Sequence, residues 1–254
     1  MSIIRDRLHA GQPCLGAWLG IPHPLSAEAM ASLGFSWLAV DMEHGAASVD
    51  QAIACFMVAE RHGCVPFARL PSADPYLARR LLDGGAAGLI IPVVEDAEAF
   101  AAFASHCLYP PAGRRGVGLH RANGWGDRFA AYLTGPAPVL VPQIETRKGV
   151  AAAEAIAALP MVDAIFLGPY DLSADLGHPG DFQAPAYKEA IAQTRAACAK
   201  AGKPTGIHQV PPDAEALARV LEDGHLFVAC ATDVIAMRAA LAPLAALVAG
   251  GKPG

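Results

Sequence analysis

The sequence contains no block of basic residues. Its 254 residues include 19 lysines and arginines against 24 aspartates and glutamates, which gives a formal net charge of −5. Proteins that bind nucleic acid rely on clustered basic side chains to neutralise phosphates. We therefore expect no nucleic-acid partner. A small anionic substrate is compatible with this balance, because the charges of its own site decide its binding.

No uninterrupted apolar run is long enough to cross a bilayer, for which a helix needs about 20 apolar residues. The most apolar segment, 234–248, contains Arg238 and Pro243 and is typical of a packing helix. Residues 1–7 lack the apolar core of a secretory signal peptide. These absences predict a cytoplasmic protein without a membrane partner.

Paired cysteines are also absent. The chain has six cysteines but no CxxC motif, and each cysteine lies in or beside an apolar run. Reduced, buried thiols of a cytosolic protein fit this distribution better than disulfides or a thiolate metal site. The cysteines are Cys14, Cys55, Cys64, Cys107, Cys198 and Cys230.

Short β-like runs alternate with alanine-rich segments of helical period along the whole chain. This alternation predicts a parallel sheet, and eight repeats in a chain of this length favour closure into a (β/α)8 TIM barrel. With no linker or composition shift, we expect one domain over 1–254, with 250–254 as a flexible tail. The predicted strands are 14–19, 35–41, 65–69, 88–93, 139–144, 164–167, 204–208 and 226–229. The predicted helices include 24–33, 49–62, 74–82, 149–159, 187–201, 213–223 and 232–247.

Polar side chains recur where the predicted strands end, although a barrel core does not need them. Asp41, Glu43 and His44 follow the second strand. Barrel enzymes place their chemistry at this end of the strands. A histidine exchanges protons near neutral pH, and a neighbouring carboxylate fixes its ring. We expect the acid–base group of an active site here, the alternative being a polar turn.

Glu145 and Asp171 follow consecutive strands, so a closed barrel brings them towards one point. Two carboxylates without a nearby thiol favour a hard divalent ion, Mg²⁺ or Mn²⁺. Two alternatives stay open: solvated loop acids, or the acid–base pair of a glycoside hydrolase. The second is disfavoured because the chain offers few aromatic platforms for a sugar.

Arg69 ends the third strand, where a guanidinium can bind a carboxylate or an enolate oxygen. It could also simply neutralise the barrel rim. None of the five lysines ends a strand pointing inward, which disfavours Schiff-base catalysis. Together these residues suggest enolate formation from a 2-oxo acid. A divalent ion would act as Lewis acid, with Arg69 on the enolate oxygen and His44 as general base.

Six segments in series resemble the HpcH/HpaI aldolase family, the metal-dependent class II pyruvate aldolases. They cover nearly the whole chain in order, which makes the series specific although each motif alone is weak. The segments are GAWLG at 16–20, VDMEHG at 40–45, Arg69 with Pro71, YPP at 109–111 with RGVG at 115–118, QIET at 143–146 and GPYDLS at 168–173.

The resemblance implies a TIM barrel that cleaves a 4-hydroxy-2-oxo acid to pyruvate or hydroxypyruvate plus an aldehyde. It implies a homo-oligomer, a hexamer built as a trimer of dimers that exchange their last helix. Glu145 and Asp171 would bind the divalent metal (Mg²⁺ or Mn²⁺, with Co²⁺ as a further candidate), supported by Gln143. His44 would be the base, with Asp41 near it.

Three further roles follow from the same resemblance. Asp83 would assist His44 across a subunit contact, although it is also a plain helix-ending acid before glycine. The backbone at Gly168 and Pro169 would approach the substrate carboxylate. Trp18 would line the pocket or fill the barrel mouth.

Two positions depart from the family pattern and leave the aldehyde open. His208 stands where we expect an apolar residue, so it is either a pocket residue favouring a hydroxylated partner or a buried core histidine. Asn123 lies where a serine is common, in the long glycine-rich segment 109–126, which we interpret as a lid or a subunit contact. We assign both residues to substrate binding.

Three hypotheses therefore compete. The first is the class II aldolase. The second keeps the barrel and metal but changes the reaction to that of an acyl-CoA lyase, as in citrate-lyase β subunits, or an oxaloacetate decarboxylase. The missing basic groove for a CoA tail disfavours the acyl-CoA reaction. The third, a non-catalytic binding subunit, is disfavoured because every acid, base and guanidinium that the chemistry needs is present.

Overall fold

Eight parallel strands form a closed barrel in the computed structural model, which describes residues 3–248. The strands pair in chain order, and β8 closes on β1. The predicted TIM barrel is therefore confirmed, while the predicted tail at 250–254 lies outside the described residues. The strands are β1 Cys14–Leu19, β2 Trp37–Asp41, β3 Val65–Arg69, β4 Gly88–Ile91, β5 Val139–Ile144, β6 Ile165–Leu167, β7 Thr205–Gln209 and β8 Phe227–Thr232.

The helices cover the predicted stretches and add short ones that the periodicity did not reveal, at the start of the chain and after β4 and β6. They are α1 Ile3–His9, α2 Pro24–Ala31, α3 Val49–Arg61, α4 Pro75–Gly84, α5 Ala97–Ser105, α6 Phe129–Leu133, α7 Arg147–Ala157, α8 Pro169–Asp175, α9 Pro185–Lys200, α10 Ala214–Glu222 and α11 Asp233–Val248. The segment Arg121–Gly126 forms a distorted 3-10 turn.

Aromatic rings fill the interior of the barrel near the amino ends of the strands. Trp37 and Phe227 stack with ring centroids 4.3 Å apart. Glycine makes room for these rings: a Cβ at Gly16 would lie 2.0 Å from Trp37, and one at Gly88 would lie 2.1 Å from Phe67. The opposite end of the barrel, where the carboxyl ends of the strands lie, is therefore available for polar side chains. We call that opposite end the barrel mouth.

Helix α11 exposes a large apolar surface. It ends the described chain and carries a proline at position 243. Apolar side chains in this number are normally packed against another part of a protein. An exposed apolar area of this kind marks an interaction surface. Its exposed apolar residues are Val234, Ile235, Met237, Leu241, Leu244 and Leu247.

The sequence predicted neither a membrane-spanning helix nor a disulfide. In residues 3–248, no helix combines the length and the apolar character that crossing a membrane requires. All six cysteines fall within this range and all are free. Five are buried and Cys230 is partly exposed. Burial raises the pKa of the thiols, to about 12 for Cys64 and Cys107, so they are poor nucleophiles.

Candidate active site

Asp41 and Arg69 form the central ion pair of the barrel mouth. They are register partners at the ends of β2 and β3. Arg69 donates from Nε and Nη2 to the two oxygens of Asp41, at 2.9 and 2.6 Å. Burial works to raise the pKa of Asp41, but the hydrogen bonds and charge of Arg69 outweigh it and lower the pKa. Asp41 is therefore an anion that orients the guanidinium.

The turn after β2 presents Glu43 and His44 beside this pair. Asp41 Oδ1 accepts from the backbone N–H groups of Glu43 and His44, at 3.1 and 3.3 Å. Glu43 Oε2 lies 3.2 Å from Nη1 of Arg69 and 3.8 Å from Nε2 of His44, whose side chain is 65% exposed. Asp41 thus contacts His44 through the backbone, and Glu43 is the carboxylate beside the ring.

Sequence reasoning gave Glu43 no role of its own, although it lies inside the VDMEHG motif. Burial raises its pKa, against the lowering effect of the Arg69 and His44 charges. Its Oε2 atom is buried and forms the ion pair with Arg69, but it accepts no hydrogen bond within the described residues. Glu43 is therefore a further acid of the mouth.

Glu145 is buried at the end of β5 with both oxygens engaged. Oε1 accepts from the backbone N–H of Val93 at 2.7 Å, and Oε2 accepts from the amide of Gln143. Burial raises the pKa of Glu145 to about 7. That value includes the smaller raising effect of the negative charges of Asp171 and Glu43 and the lowering effect of the two hydrogen bonds. This carboxyl group is poised to exchange its proton for a cation near neutral pH.

Gly168 lets the chain pass directly over Glu145. A Cβ at this position would lie 2.3 Å from Glu145 Oε2. Helix α8 then begins with Pro169, whose fixed φ suits a first helical position, and carries Asp171 in its first turn on the surface. The N–H of Gly168 already donates to the carbonyl of Ile144. The negative charge of Asp171 is near enough to raise the pKa of both Glu145 and Glu43.

Trp18 and His208 lie beneath Arg69. The guanidinium carbon of Arg69 is 4.7 Å from the centroid of the Trp18 ring. The His208 ring meets Trp18 edge-on, with centroids 5.6 Å apart. Trp18 is fully buried, and its ring lies against the Arg69 guanidinium.

Four buried polar atoms of the mouth have no hydrogen-bond partner within the described chain: Trp18 Nε1, Glu43 Oε2, Gln143 Oε1 and His208 Nε2. Buried polar atoms are nearly always satisfied, so such a cluster indicates a place for a polar ligand. Within residues 3–248, however, no three His, Cys, Asp or Glu side chains stand close enough to enclose a metal ion by themselves.

Asp83 lies apart from His44 within this chain. Its Oδ1 accepts from Arg115 at 2.6 Å and lies 3.1 Å from Nε2 of His120. The Arg115 side chain is only 2% exposed and stacks against Tyr109 and Tyr132. Sequence reasoning missed Arg115 and His120 as partners of Asp83, and their position in the basic glycine-rich segment was the available signal.

Asn123 belongs to this second cluster. Its oxygen accepts from the N–H groups of His120 and Gly126, and its nitrogen donates to the carbonyl of Gly118. It is 1% exposed. Within one chain its amide therefore shapes the 109–126 segment. The structure does not bring Asn123 or Asp83 together with the other predicted site residues.

A closed parallel barrel with paired acids, a histidine and a guanidinium at its mouth defines a TIM-barrel enzyme. The family model of HpcH/HpaI aldolase/citrate lyase matches residues 15–240. This chain belongs to that family, as the six motifs predicted.

Relatives and solved structures agree with this assignment. A hydroxypyruvate/pyruvate aldolase of Chromohalobacter salexigens is 40% identical over 91% of each chain. A 4-hydroxy-2-oxo-heptane-1,7-dioate aldolase of Salmonella arizonae is 38% identical over 96% of this chain and 94% of that one. The crystal structure of an HpcH/HpaI aldolase/citrate lyase family protein from Burkholderia cenocepacia superposes with a TM-score of 0.90 at 33% identity, covering 98% and 99% of the two chains. The chain is therefore an aldehyde-lyase, as predicted.

Proposed function

We propose that this protein is a metal-dependent class II aldolase. It reversibly cleaves a 4-hydroxy-2-oxo acid to pyruvate or hydroxypyruvate plus an aldehyde, the substrates named for its relatives. The observation that carries the proposal is Glu145: a buried carboxyl group at the barrel mouth whose pKa is raised to about 7 beside Gln143 and Asp171.

The residues present fit a divalent ion. Glu145 and Asp171 would hold it, and Gln143 would orient Glu145. Gln143 Oε1 has no hydrogen-bond partner in the described residues, and Glu43 Oε2 has its ion pair with Arg69 but accepts no hydrogen bond there, so both oxygens suit ligand waters or substrate. Oxygen donors of this kind favour Mg²⁺, Mn²⁺ or the similar Co²⁺. When bound, the ion supplies a Lewis acid that polarises the 2-oxo group.

The chain's own residues then bind the substrate and move the proton. Arg69, held by Asp41 and supported by Trp18, binds the oxygen on C2 that gains charge during enolisation. His44, exposed at the rim with Glu43 beside its ring, accepts the proton from C3 or from the hydroxyl of the aldol. The substrate carboxylate lies near Gly168 and Pro169. The Gly168 N–H already donates to Ile144, and proline has no backbone N–H, so backbone donors to this carboxylate come from residues after Pro169.

The proposed assembly is a cytoplasmic homo-oligomer of single-domain subunits, a trimer of dimers. The exposed apolar face of α11 supports exchange of the last helix between subunits. Asp83, already paired with Arg115, would complete the His44 site of a neighbouring subunit together with Asn123 and the rest of the 109–126 segment.

The test is proton exchange at C3 of pyruvate, followed by NMR in D₂O with and without a chelator. We expect exchange to need a divalent ion and to be lost in His44→Ala and Glu145→Ala. The control is Glu154→Ala, which removes an exposed acid of α7 that pairs with Lys200. Exchange that is equally fast with chelator would refute the proposal.

The acyl-CoA lyase and oxaloacetate decarboxylase remain the second candidates, because the family also includes citrate lyases. Parallel assays with a CoA thioester, oxaloacetate and a 4-hydroxy-2-oxo acid separate them. We expect the highest kcat/KM for carbon–carbon cleavage of the free hydroxy-oxo acid.

A further inference from the structure

His208 carries an unpartnered nitrogen inside the barrel mouth. Its side chain extends from β7, and its Nε2 is buried without any hydrogen-bond partner in the described chain. The ring lies edge-on to Trp18, and Arg69 covers the face of the same indole. His208 and Arg69 therefore border one common ring.

The imidazole of His208 is neutral at physiological pH. Burial lowers its pKa, and the positive charge of Arg69 lowers it further, to about 4. The backbone of Ala231 and the charge of Asp41 act in the opposite direction but are outweighed. Ala231 itself has a φ of 59°, a left-handed conformation that costs energy for any residue other than glycine. The fold therefore holds the β8 segment beside His208 in an energetically unfavourable backbone conformation.

A neutral, buried nitrogen without a partner suits one chemical class of ligand. A carboxylate would pair with the Arg69 cation instead, because charge-assisted hydrogen bonds are the stronger ones. An apolar group would leave Nε2 unsatisfied, which is costly in a buried site. A hydroxyl group both accepts and donates, so it satisfies either tautomer of the imidazole.

We propose that His208 is a specificity-determining residue that hydrogen-bonds a hydroxyl on C3 of the 2-oxo acid, and so selects hydroxypyruvate over pyruvate. The inference rests on the proposed function, in which Arg69 binds the oxygen on C2. His208 and Arg69 border the same indole, so a substrate whose C2 oxygen binds Arg69 would bring the substituent on C3 towards His208. The reaction itself is unchanged, and His208 discriminates between donors.

The test compares the two donors with acetaldehyde as acceptor, since this aldehyde has no hydroxyl of its own. In His208→Phe, which keeps a ring against Trp18 but removes both nitrogens, we expect the ratio of kcat/KM for hydroxypyruvate to that for pyruvate to fall at least about tenfold. Because both donors are measured with the same variant, a general loss of activity cancels from this ratio. His208→Asn, which retains a hydrogen-bonding group, should recover part of the ratio.

The matched control is His225→Phe. His225 is a buried histidine whose pKa burial lowers to about 4, but it bonds Thr205 at the start of β7, away from the mouth. Its substitution should leave the donor ratio unchanged. Equal ratios in wild type and His208→Phe would overturn the inference, as would a loss confined to hydroxylated acceptor aldehydes.

A second measurement is independent of how well the variants fold. In wild-type enzyme labelled with ¹⁵N-histidine, hydroxypyruvate should shift the Nε2 resonance of His208, and pyruvate should not. Identical spectra with both donors would overturn the inference. Failure of metal-dependent pyruvate exchange in wild type would instead refute the proposed function, so the two failures are distinguishable.

Discussion

Asp41 and Arg69 face each other in register on β2 and β3 and are joined by two parallel hydrogen bonds of 2.9 and 2.6 Å. A bidentate pair of this kind fixes the plane of the guanidinium. It leaves Nη1 directed towards Glu43, 3.2 Å away. Asp41 on the neighbouring strand thus determines the position of the Arg69 guanidinium, which is the proposed substrate-binding group.

Asp41→Asn should release Arg69 and weaken the enzyme in two ways. Without the Asp41 charge, Arg69 keeps only Glu43 as a counter-charge among the described residues, so we expect a loss of about 2–4 kcal/mol in unfolding free energy. We also expect kcat/KM to fall about 100-fold, because the guanidinium is no longer oriented. Urea unfolding and steady-state kinetics measure the two effects.

The control is Asp163→Asn. Asp163 forms a similar bidentate pair with Arg5, which belongs to α1 at the opposite end of the barrel. We expect a comparable loss of stability with nearly unchanged kcat/KM. Equal loss of activity in both variants would show that Asp41 acts only through global stability.

Glu145→Gln should change how stability depends on pH. The pKa of Glu145 is raised from 4.5 to about 7 by burial, so the folded protein binds a proton more tightly than the unfolded chain does. Wild-type stability therefore falls as pH rises from about 4.5 to 7. In chelator above pH 7, the variant should be more stable by roughly 3 kcal/mol, and near pH 4 the two should agree. Parallel pH profiles would contradict this.

Divalent ions should stabilise the folded protein. We expect Mn²⁺ at 100 times its Kd to add about 2.7 kcal/mol, with a larger rise in Tm at pH 8 than at pH 5 because the carboxylates must be deprotonated. Glu145→Gln and Asp171→Asn should lose this response, and Glu154→Gln should keep it. A shift in Tm that survives in all three variants would place the ion elsewhere.

Gly168→Ala should displace Glu145. The new Cβ would lie 2.3 Å from Glu145 Oε2 and 2.8 Å from its Cβ, so the carboxylate must move. We expect about 1–3 kcal/mol of destabilisation and at least about tenfold weaker Mn²⁺ binding by calorimetry. Gly118→Ala is the control, since its Cβ would meet only His120, at 3.8 Å.

Subunit mixing tests the proposed role of Asp83. Homo-oligomers of His44→Ala and of Asp83→Asn should each be weakly active. Dissociated and reassembled together, they should regain part of the wild-type activity, because some interfaces then combine an intact His44 with an intact Asp83. Activity that never exceeds that of the separate variants would assign Asp83 to its own chain, with Arg115 and His120.

Sequence reasoning succeeded where local pattern carries the information. Strands β1, β3 and β5 begin and end where they were predicted, because short, mostly apolar runs are local signals. It named Glu43 only as a member of the charged group after β2, without a separate role, and it missed the partners of Asp83. Arg115 lies 32 residues after Asp83, and local sequence patterns do not indicate which acid an arginine so far along the chain will pair with.

The amino-acid order alone determined the eightfold repeat of strand and helix, and with it the end of the barrel at which Asp41, Arg69, Glu145 and Asp171 collect. Periodicity and chain length suffice for that, since every parallel strand delivers its last residues to the same end. Only the tertiary structure decided that Asp41 pairs with Arg69, that Glu145 holds its proton to about pH 7, and that His208 Nε2 has no partner. These properties depend on burial and on contacts between residues far apart in the chain, which exist only once the barrel has closed.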